Sequence, residues 1–176
     1  MAEPKDLLDA AMPSDANGID QMPQVRIVAQ YIKDLSFENP NAPRSLQGGQ
    51  EQPRIDVSVN VNARKATDEL FEVELKITVN ARTSDLAIFA LELLYGGLFA
   101  LRNVPEEALE PFLIVEAPRL IFPFARRIVA DATRDGGFAP LMLDPIDFAS
   151  MYLSRINAQQ AGEGGSGGDA PQVGHA

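Results

Sequence analysis

Two successive stretches of the chain alternate strictly between apolar and polar side chains. Every second residue from Ile55 to Val61 and from Phe71 to Val79 is apolar. A repeat of two residues is typical of β-strands with one buried face. Residues 25–38 follow the same rule, and residues 86–101 form an apolar run that suits a buried strand. The sequence therefore predicts four strands, most simply joined as an antiparallel meander.

From Val104 onwards the apolar spacing changes towards the 3.6-residue period of an α-helix. We predict a short helix from Pro105 to about Glu116 and a longer one from Pro118 to about residue 135, with a kink or break at Pro123. A third helix is expected to begin near residues 144–147. A four-stranded antiparallel sheet followed by three helices is an α+β fold.

The long predicted helix has one apolar face of its own. Leu120, Phe124, Ile128 and Ala132 recur at intervals of four residues, which places them on the same side of a helix. Arg127 and Asp131 have the spacing of an exposed ion pair.

The two ends of the chain differ in composition from the region between them. Residues 1–23 contain five acidic residues and one Lys, and residues 157–176 contain six Gly and no aromatic residue. We predict a flexible acidic leader over residues 1–23, a folded domain over residues 24–156 and a flexible Gly-rich tail over residues 157–176.

Composition and charge exclude several classes of function. The 176 residues include 15 basic and 25 acidic side chains, a formal charge of −10, which disfavours nucleic acid as a partner. Cys is absent and the single His, His175, lies in the Gly-rich tail, so thiolate sites and His-based triads are excluded. The sequence has no Gly-rich nucleotide-binding motif, signal peptide or membrane-spanning run. We therefore expect a cytoplasmic protein that is not an enzyme, needs no cofactor or metal, and does not insert into a membrane.

Acidic residues lie on one side of the first predicted strand. Asp34, Ser36 and Glu38 share that side, and Glu92 joins them if the first and fourth strands are neighbours. A solvated sheet face is one interpretation, and docking of a basic partner through opposite charge is the other. A catalytic carboxylate pair or a cation site is a weaker alternative, because no supporting His or Gly-rich loop accompanies the acids.

A second set of residues is apolar and lies between the long loop after the first strand and the long helix. It consists of Phe37, Pro40, Pro43, Leu46, Phe122 and Phe124. An ordinary core is one interpretation of such residues. If part of the set stays open, it forms an apolar groove that suits an extended polypeptide better than a small polar metabolite.

The fourth predicted strand is apolar on both of its faces. From Ile88 to Tyr95 both alternating sets of side chains are largely apolar around Glu92. This pattern favours burial on both sides of the sheet through oligomerisation. The alternative is that the helices cover one face and the long loop covers the other.

Three segments resemble the SecB family of bacterial export chaperones. They are YIKDLSFENPNAP at 31–43, YGGLFAL at 95–101, and LIFPFARRIV followed by RDGGFAPLMLDPIDF within 120–148. The resemblance runs from about Gln24 to Gln160 in the same order. It implies a cytosolic homotetramer, assembled as a dimer of dimers, that holds unfolded preproteins and delivers them to the SecA translocation ATPase without using ATP itself.

The resemblance also implies roles for individual residues. The client groove corresponds to residues 37–47 and 118–134. The acids that dock SecA correspond to Asp34, Glu38 and Glu92, with Ala90 in place of a larger apolar residue. Positions of the fourth strand that affect the tetramer correspond to Leu91, Leu93 and Tyr95.

Three other functions stay open beside the export chaperone. One is a SecB-like chaperone dedicated to a narrower client such as an antitoxin. Another is an enzyme that uses Asp34 and Glu38 around a divalent cation. The third is a purely structural assembly subunit.

Overall fold

Four long strands form one antiparallel sheet in the computed structural model, which describes residues 22–48 and 51–163. The strands are β1 (Gln24–Glu38), β2 (Arg54–Lys65), β3 (Leu70–Arg82) and β4 (Ala87–Arg102), in the spatial order β1-β4-β3-β2. The four predicted strands and the meander from β2 to β4 are confirmed. β1 lies beside β4 rather than beside β2, so the meander does not include it. The interpretation of the acidic residues requires this adjacency. Residues 1–21 and 164–176, which contain most of the predicted leader and tail, lie outside the described residues.

β1 does not keep the single alternation that its sequence predicts. Its register with β4 shifts between Ile27 and Ala29, and again between Ile32 and Asp34. Each shift is a β-bulge, in which one strand has an extra residue without a direct partner. After the second bulge the even-numbered residues of β1 face the side that the odd-numbered residues faced before it. The prediction of one uninterrupted alternation over residues 25–38 is therefore wrong.

Within the described residues, the helical layer consists of two continuous helical stretches rather than the three separate helices predicted. α1 (Glu106–Pro111), a π-helical turn (Phe112–Glu116) and α2 (Ala117–Asp135) follow one another without a gap, and α3 (Phe148–Glu163) is separate. Pro118 does not separate two helices, because it directly follows a π-helical turn, where the regular α-helical hydrogen-bond pattern is already changed. The π-helical turn widens the backbone immediately before it. α2 also continues through Pro123 to Asp135, so no break occurs there.

α2 packs against one face of the sheet, called the inner face below, and the opposite face is called the outer face. Leu75, Ile77 and Leu93 of the sheet and Ile121 and Val129 of α2 are fully buried at this contact. Burial of each such side chain contributes about 1.5–3 kcal/mol. This contact is the main core of the chain.

A glycine lets α2 approach the sheet. A Cβ atom at Gly97 of β4 would lie 3.0 Å from Cγ2 of Ile121 and 2.8 Å from the Phe99 ring. Because Gly97 has no side chain, the helix rests almost directly on the strand.

α2 has a second apolar face, which points away from this core. Leu120 is 45 % exposed and Phe124 is 49 % exposed, whereas the residues one position later, Ile121 and Ala125, are buried. The expected ion pair between Arg127 and Asp131 is present, with 3.6 Å between Nε and Oδ2. The predicted face is therefore divided, because Leu120 and Phe124 are exposed whereas Ile128 and Ala132 are partly buried against the main core.

α3 begins at Phe148, next to the predicted start. Asp147 caps it, because its Oδ1 atom accepts a hydrogen bond of 3.0 Å from the backbone N–H of Ser150. Phe148 is buried in the main core. The helix extends to Glu163, beyond residue 156, where the sequence analysis placed the end of the folded domain.

Candidate functional site

Three carboxylates lie together on the outer face of the sheet. The register places Glu92 directly opposite Ser36, with Asp34 opposite Leu94 and Glu38 opposite Ala90. Residues two apart on a strand share a face and are about 6.7 Å apart along it. Asp34 and Glu38 therefore flank the position opposite Glu92, and these three residues are called the acid patch below.

The acid patch has an excess of negative charge. Glu92 forms an ion pair with Lys76 of β3, with 3.0 Å between Oε1 and Nζ, and both side chains are partly exposed. Asp34 and Glu38 are exposed and form no ion pair with a described residue. One positive charge against three negative charges leaves the patch open to a basic partner.

A buried glutamate that the sequence analysis did not identify lies on the same face. Glu72 of β3 is only 5 % exposed. The Tyr31 hydroxyl donates to its Oε1 atom at 2.6 Å, Lys33 donates to its Oε2 atom at 3.3 Å, and Arg64 of β2 also donates to Oε2. Lys33 further donates to Glu74, the next outward residue of β3. These contacts connect β1, β3 and β2 across the sheet.

The contacts around Glu72 shift the pKa values of Glu72, Tyr31 and Lys33. Burial alone would raise the pKa of Glu72, but hydrogen bonds from Tyr31, Arg64 and Lys33 outweigh burial and lower this pKa to about 2. Burial and the hydrogen bond to Glu72 raise the pKa of Tyr31 well above its usual range. The hydrogen bond to Glu74 raises the pKa of Lys33. The carboxylates and the ammonium group are therefore charged at neutral pH.

Three aromatic rings form a cluster on the inner face, where β1 ends. Phe37 stacks on Phe89 with 5.5 Å between ring centroids, and Phe138 lies 5.0 Å from Phe89 and 6.3 Å from Phe37. A Cβ atom at Gly136 would lie 2.2 Å from the Phe37 ring, and one at Gly137 would lie 3.0 Å from Leu46. The two glycines after α2 therefore leave the space in which the side chains of Phe37 and Leu46 pack.

An open cleft adjoins this aromatic cluster. It has a volume of about 630 Å³ and lies between the loop after β1 and the beginning of β4. Leu86, Ile88 and Phe138 supply apolar surface, and most of the other lining residues, such as Arg44 and Asp85, are polar. Phe138 belongs to both the cleft and the cluster. The cleft therefore adds apolar contact at these three residues within a mainly polar lining.

The structure brings together only part of the predicted client groove. Phe37 and Leu46 lie at the end of α2, and Pro40 and Pro43 are exposed on the loop beside them. Phe122 is buried in the core, where its ring meets that of Phe148 edge-on, with 5.9 Å between centroids. Phe122 and Phe124 also lie about 17–20 Å along the helix from its end at Asp135, since a helix rises about 1.5 Å per residue.

The residues expected at an oligomer interface are buried within the single chain. Leu91, Leu93 and Tyr95 point to the inner face and are covered by the helical layer. Any influence that they have on assembly must therefore act through the helix that they support. Exposed apolar side chains occur instead on the second face of α2 and along β1.

Several site residues were missed for recognisable reasons. Phe89 lies in an apolar run, where alternation does not separate a site from a core, and Phe138 follows a pair of glycines that reads only as a helix end. Glu72 is missed because the alternating pattern places it on an exposed face. Its partners Tyr31 and Lys33 lie 41 and 39 residues away in the chain.

Among the described residues, no helix is long and apolar enough to cross a membrane. Within residues 22–48 and 51–163 no three Asp, Glu or His side chains are grouped closely enough to hold a metal ion.

Comparison with known proteins gives a consistent result. Residues 19–159 match the family described as preprotein translocase subunit SecB. The protein-export protein SecB of Rhizorhabdus wittichii is 55 % identical over 145 residues, which cover 82 % of this chain and 87 % of that protein. The protein of the same name from Maricaulis maris is 53 % identical over 154 residues, covering 88 % and 89 %.

A solved structure has the same fold. It is a SecB-like chaperone of Mycobacterium tuberculosis in complex with a ChAD peptide from the HigA1 antitoxin, with a TM-score of 0.57 and 18 % sequence identity. The match covers 69 % of this chain and 90 % of that chain. The extent of the family match and the identity to the named relatives lead to one conclusion: the chain belongs to the SecB family of protein-export chaperones.

Proposed function

We propose that this chain is a cytoplasmic, ATP-independent holdase that binds unfolded preproteins on its inner face and docks SecA on its outer face. One observation carries this proposal. Phe37 belongs to the aromatic cluster and faces inwards, whereas its neighbours Ser36 and Glu38 belong to the outer face with Glu92. Because the two surfaces use opposite faces of β1 and β4, a client and SecA do not compete for space.

The client surface is the aromatic cluster of Phe37, Phe89 and Phe138 with the adjoining cleft. Hydrophobic contact is non-directional and contributes about 25 cal/mol per Å² of buried apolar area, so it suits clients of varied sequence. Leu46 and Pro43 on the neighbouring loop extend the exposed apolar surface. An extended polypeptide can bury its own apolar side chains there.

The SecA surface is the acid patch. Asp34 and Glu38 are exposed, and Glu92 is held only by a partly exposed Lys76 that a basic partner can displace. Opposite charge increases the rate of encounter and defines orientation, and it depends on ionic strength. SecA docking is therefore expected to weaken as salt concentration rises.

The active form in this proposal is a homotetramer, a dimer of dimers. The apolar second face of α2, with Leu120 and Phe124, supports chain association, because such surface is normally covered in soluble proteins. Leu91 and Leu93 support α2 from beneath and so influence assembly indirectly. Several client surfaces on one particle raise the apparent affinity for a long client by about 100-fold to 10,000-fold.

A chaperone for a narrow client such as an antitoxin is the second candidate. The solved SecB-like chaperone in complex with an antitoxin peptide favours it, but that protein shares only 18 % identity with this chain. Relatives named for protein export share 53–55 % identity. An export role is therefore better supported than a dedicated one. Binding of several unrelated unfolded preproteins distinguishes the two.

Light scattering coupled to size exclusion tests the holdase and its assembly. The protein alone is expected to have a mass near four chains, and that mass is expected to rise when a reduced, unfolded preprotein is added. A chain that stays monomeric and ignores the preprotein contradicts both expectations.

A charge series tests the docking surface. Asp34→Asn, Glu38→Gln and Glu92→Gln are expected to weaken SecA binding while preprotein binding persists. Asp68→Asn is the matched control, because it also removes one exposed carboxylate, in the turn between β2 and β3 at the other end of the sheet. Equal losses in Asp68→Asn and the patch variants contradict the proposed location.

A further inference from the structure

We propose that Tyr31, Lys33 and Glu72 form a latch that holds the β1 bulge in place and thereby positions the acid patch. This inference rests on the proposed docking of SecA at that patch. It assigns a positioning role to residues that lie outside the patch and do not contact the client surface. The latch is defined by the hydrogen bonds from Tyr31 and Lys33 to Glu72.

The bulge at Lys33 decides which face each following residue occupies. Ile32 pairs with Tyr95 and Asp34 pairs with Leu94, so Lys33 is the extra residue between two successive partners. Tyr31, Lys33 and Asp34 all lie on the outer face as a result. Without the bulge, Asp34 and the even-numbered residues after it would point inwards, because a shift of one residue reverses every side chain.

Among the residues that the structure describes, β4 is the one strand that pairs with β1. A strand with one neighbour has fewer side-chain contacts to hold its register. The latch provides support of a different kind, since Tyr31 and Lys33 reach over β4 to bind Glu72 on β3.

Gly96 opens the path for this contact. It is the direct partner of Tyr31 on β4, and the Tyr31 ring occupies the space that a side chain would fill. Glu72 is held in turn from β2, because Arg64 donates to it, while Asn62 donates to Glu74 at 3.1 Å. The carboxylate of Glu72 therefore receives hydrogen bonds from β1 on one side of β3 and from β2 on the other.

The latch has a second effect on the charge of the patch. Lys33 is adjacent to Asp34 in the chain, yet its ammonium group is bound to Glu72 and Glu74. Release of Lys33 would place a mobile positive charge beside Asp34. A basic partner would then meet both a displaced and a partly neutralised patch.

Affinity for SecA, measured on full-length protein at fixed salt concentration, tests the latch. Tyr31→Phe and Glu72→Gln are expected to weaken SecA binding by about threefold to tenfold, the loss that corresponds to one hydrogen bond, with preprotein binding unchanged. Tyr152→Phe and Glu69→Gln are the matched controls. Tyr152 belongs to α3, and Glu69 pairs with Arg102 at 3.0 Å, far from the bulge.

A double-mutant cycle separates positioning from a general effect on stability. The same substitutions are introduced into a chain in which Asp34, Glu38 and Glu92 are already neutralised. If the latch acts through the patch, Tyr31→Phe has no further effect on SecA affinity in that chain. Amide hydrogen exchange of residues 33–38 is expected to increase in Tyr31→Phe. If Glu72→Gln fails to fold, Arg64→Gln replaces it, because Arg64 is an exposed residue of β2.

The outcomes are distinguishable. Wild-type SecA affinity in Tyr31→Phe and Glu72→Gln, with a clear effect of patch neutralisation, overturns the latch alone. An equal loss in the neutralised chain also overturns it, because the effect then does not pass through the patch. Wild-type affinity after neutralisation of the patch overturns the proposed docking site and the latch with it.

Discussion

The phenol ring of Tyr31 lies directly on Gly96: a Cβ atom at Gly96 would be 2.6 Å from Cε2 of that ring. A glycine within a strand is usually unfavourable by about 0.5–1 kcal/mol relative to alanine. Here Gly96 leaves the space through which the Tyr31 side chain reaches Glu72. The effect of Gly96 on the stability of the fold therefore depends on Tyr31, its partner on β1.

Gly96→Ala is expected to destabilise the protein by about 1–3 kcal/mol, because the ring must move and its hydrogen bond is strained or lost. In a Tyr31→Ala background the same substitution is expected to be neutral or stabilising. Urea unfolding of the four proteins measures both effects. Equal costs in the two backgrounds contradict the dependence on Tyr31.

Acid is expected to remove the stabilisation from Glu72. Its pKa falls from an ordinary value of 4.5 to about 2 on folding, so the folded state favours the charged carboxylate. The extra stability is complete above about pH 5 and is lost as the pH falls through 4.5 towards 2. It amounts to at most about 3 kcal/mol. The free energy of unfolding of Glu72→Gln is expected to depend less steeply on pH in this range, and an unchanged slope contradicts the assignment.

Gly136→Ala is expected to weaken preprotein binding. A Cβ atom there would lie 2.2 Å from the Phe37 ring, so Phe37 must leave its place beside Phe89 and Phe138. Calorimetric titration with an unfolded preprotein measures the effect, and SecA affinity is the internal control. Ala139→Gly, an exposed change in the same loop, is the matched variant. Unaltered client affinity in Gly136→Ala contradicts a role for the aromatic cluster in binding.

Thr133 is expected to anchor the loop between α2 and α3. Its buried hydroxyl donates to the carbonyl of Val129 or Ala130, each at 3.0 Å, and accepts the N–H of Leu141 at 2.9 Å. Thr133→Val keeps the shape but leaves that N–H unpaired, which costs about 1–3 kcal/mol. Thr133→Ser keeps the hydroxyl and is expected to cost less in denaturant unfolding. A larger loss in Thr133→Ser than in Thr133→Val contradicts the anchor.

The helical layer shows where local patterns are insufficient. Proline at residues 118 and 123 predicts interruptions, yet one helical stretch runs from Glu106 to Asp135. The penalty for proline depends on which backbone groups lack partners at that position, and the π-helical turn before α2 changes this. Such an adjustment depends on packing against the sheet and is not visible in residue spacing.

The sequence by itself determined the four strands, the shared side of Asp34, Ser36 and Glu38, and the long loop after β1. These features follow from local alternation and from which side chains avoid water. Glu92 joins these residues because β4 lies beside β1, an adjacency that the sequence left open. The tertiary structure alone decided that β1 has two bulges, that Glu72 is buried beneath Tyr31 and Lys33, and that Phe37 rests on Gly136. The physical reason is that each of these contacts joins residues far apart in the chain, and their geometry exists only when strands and helices are packed together.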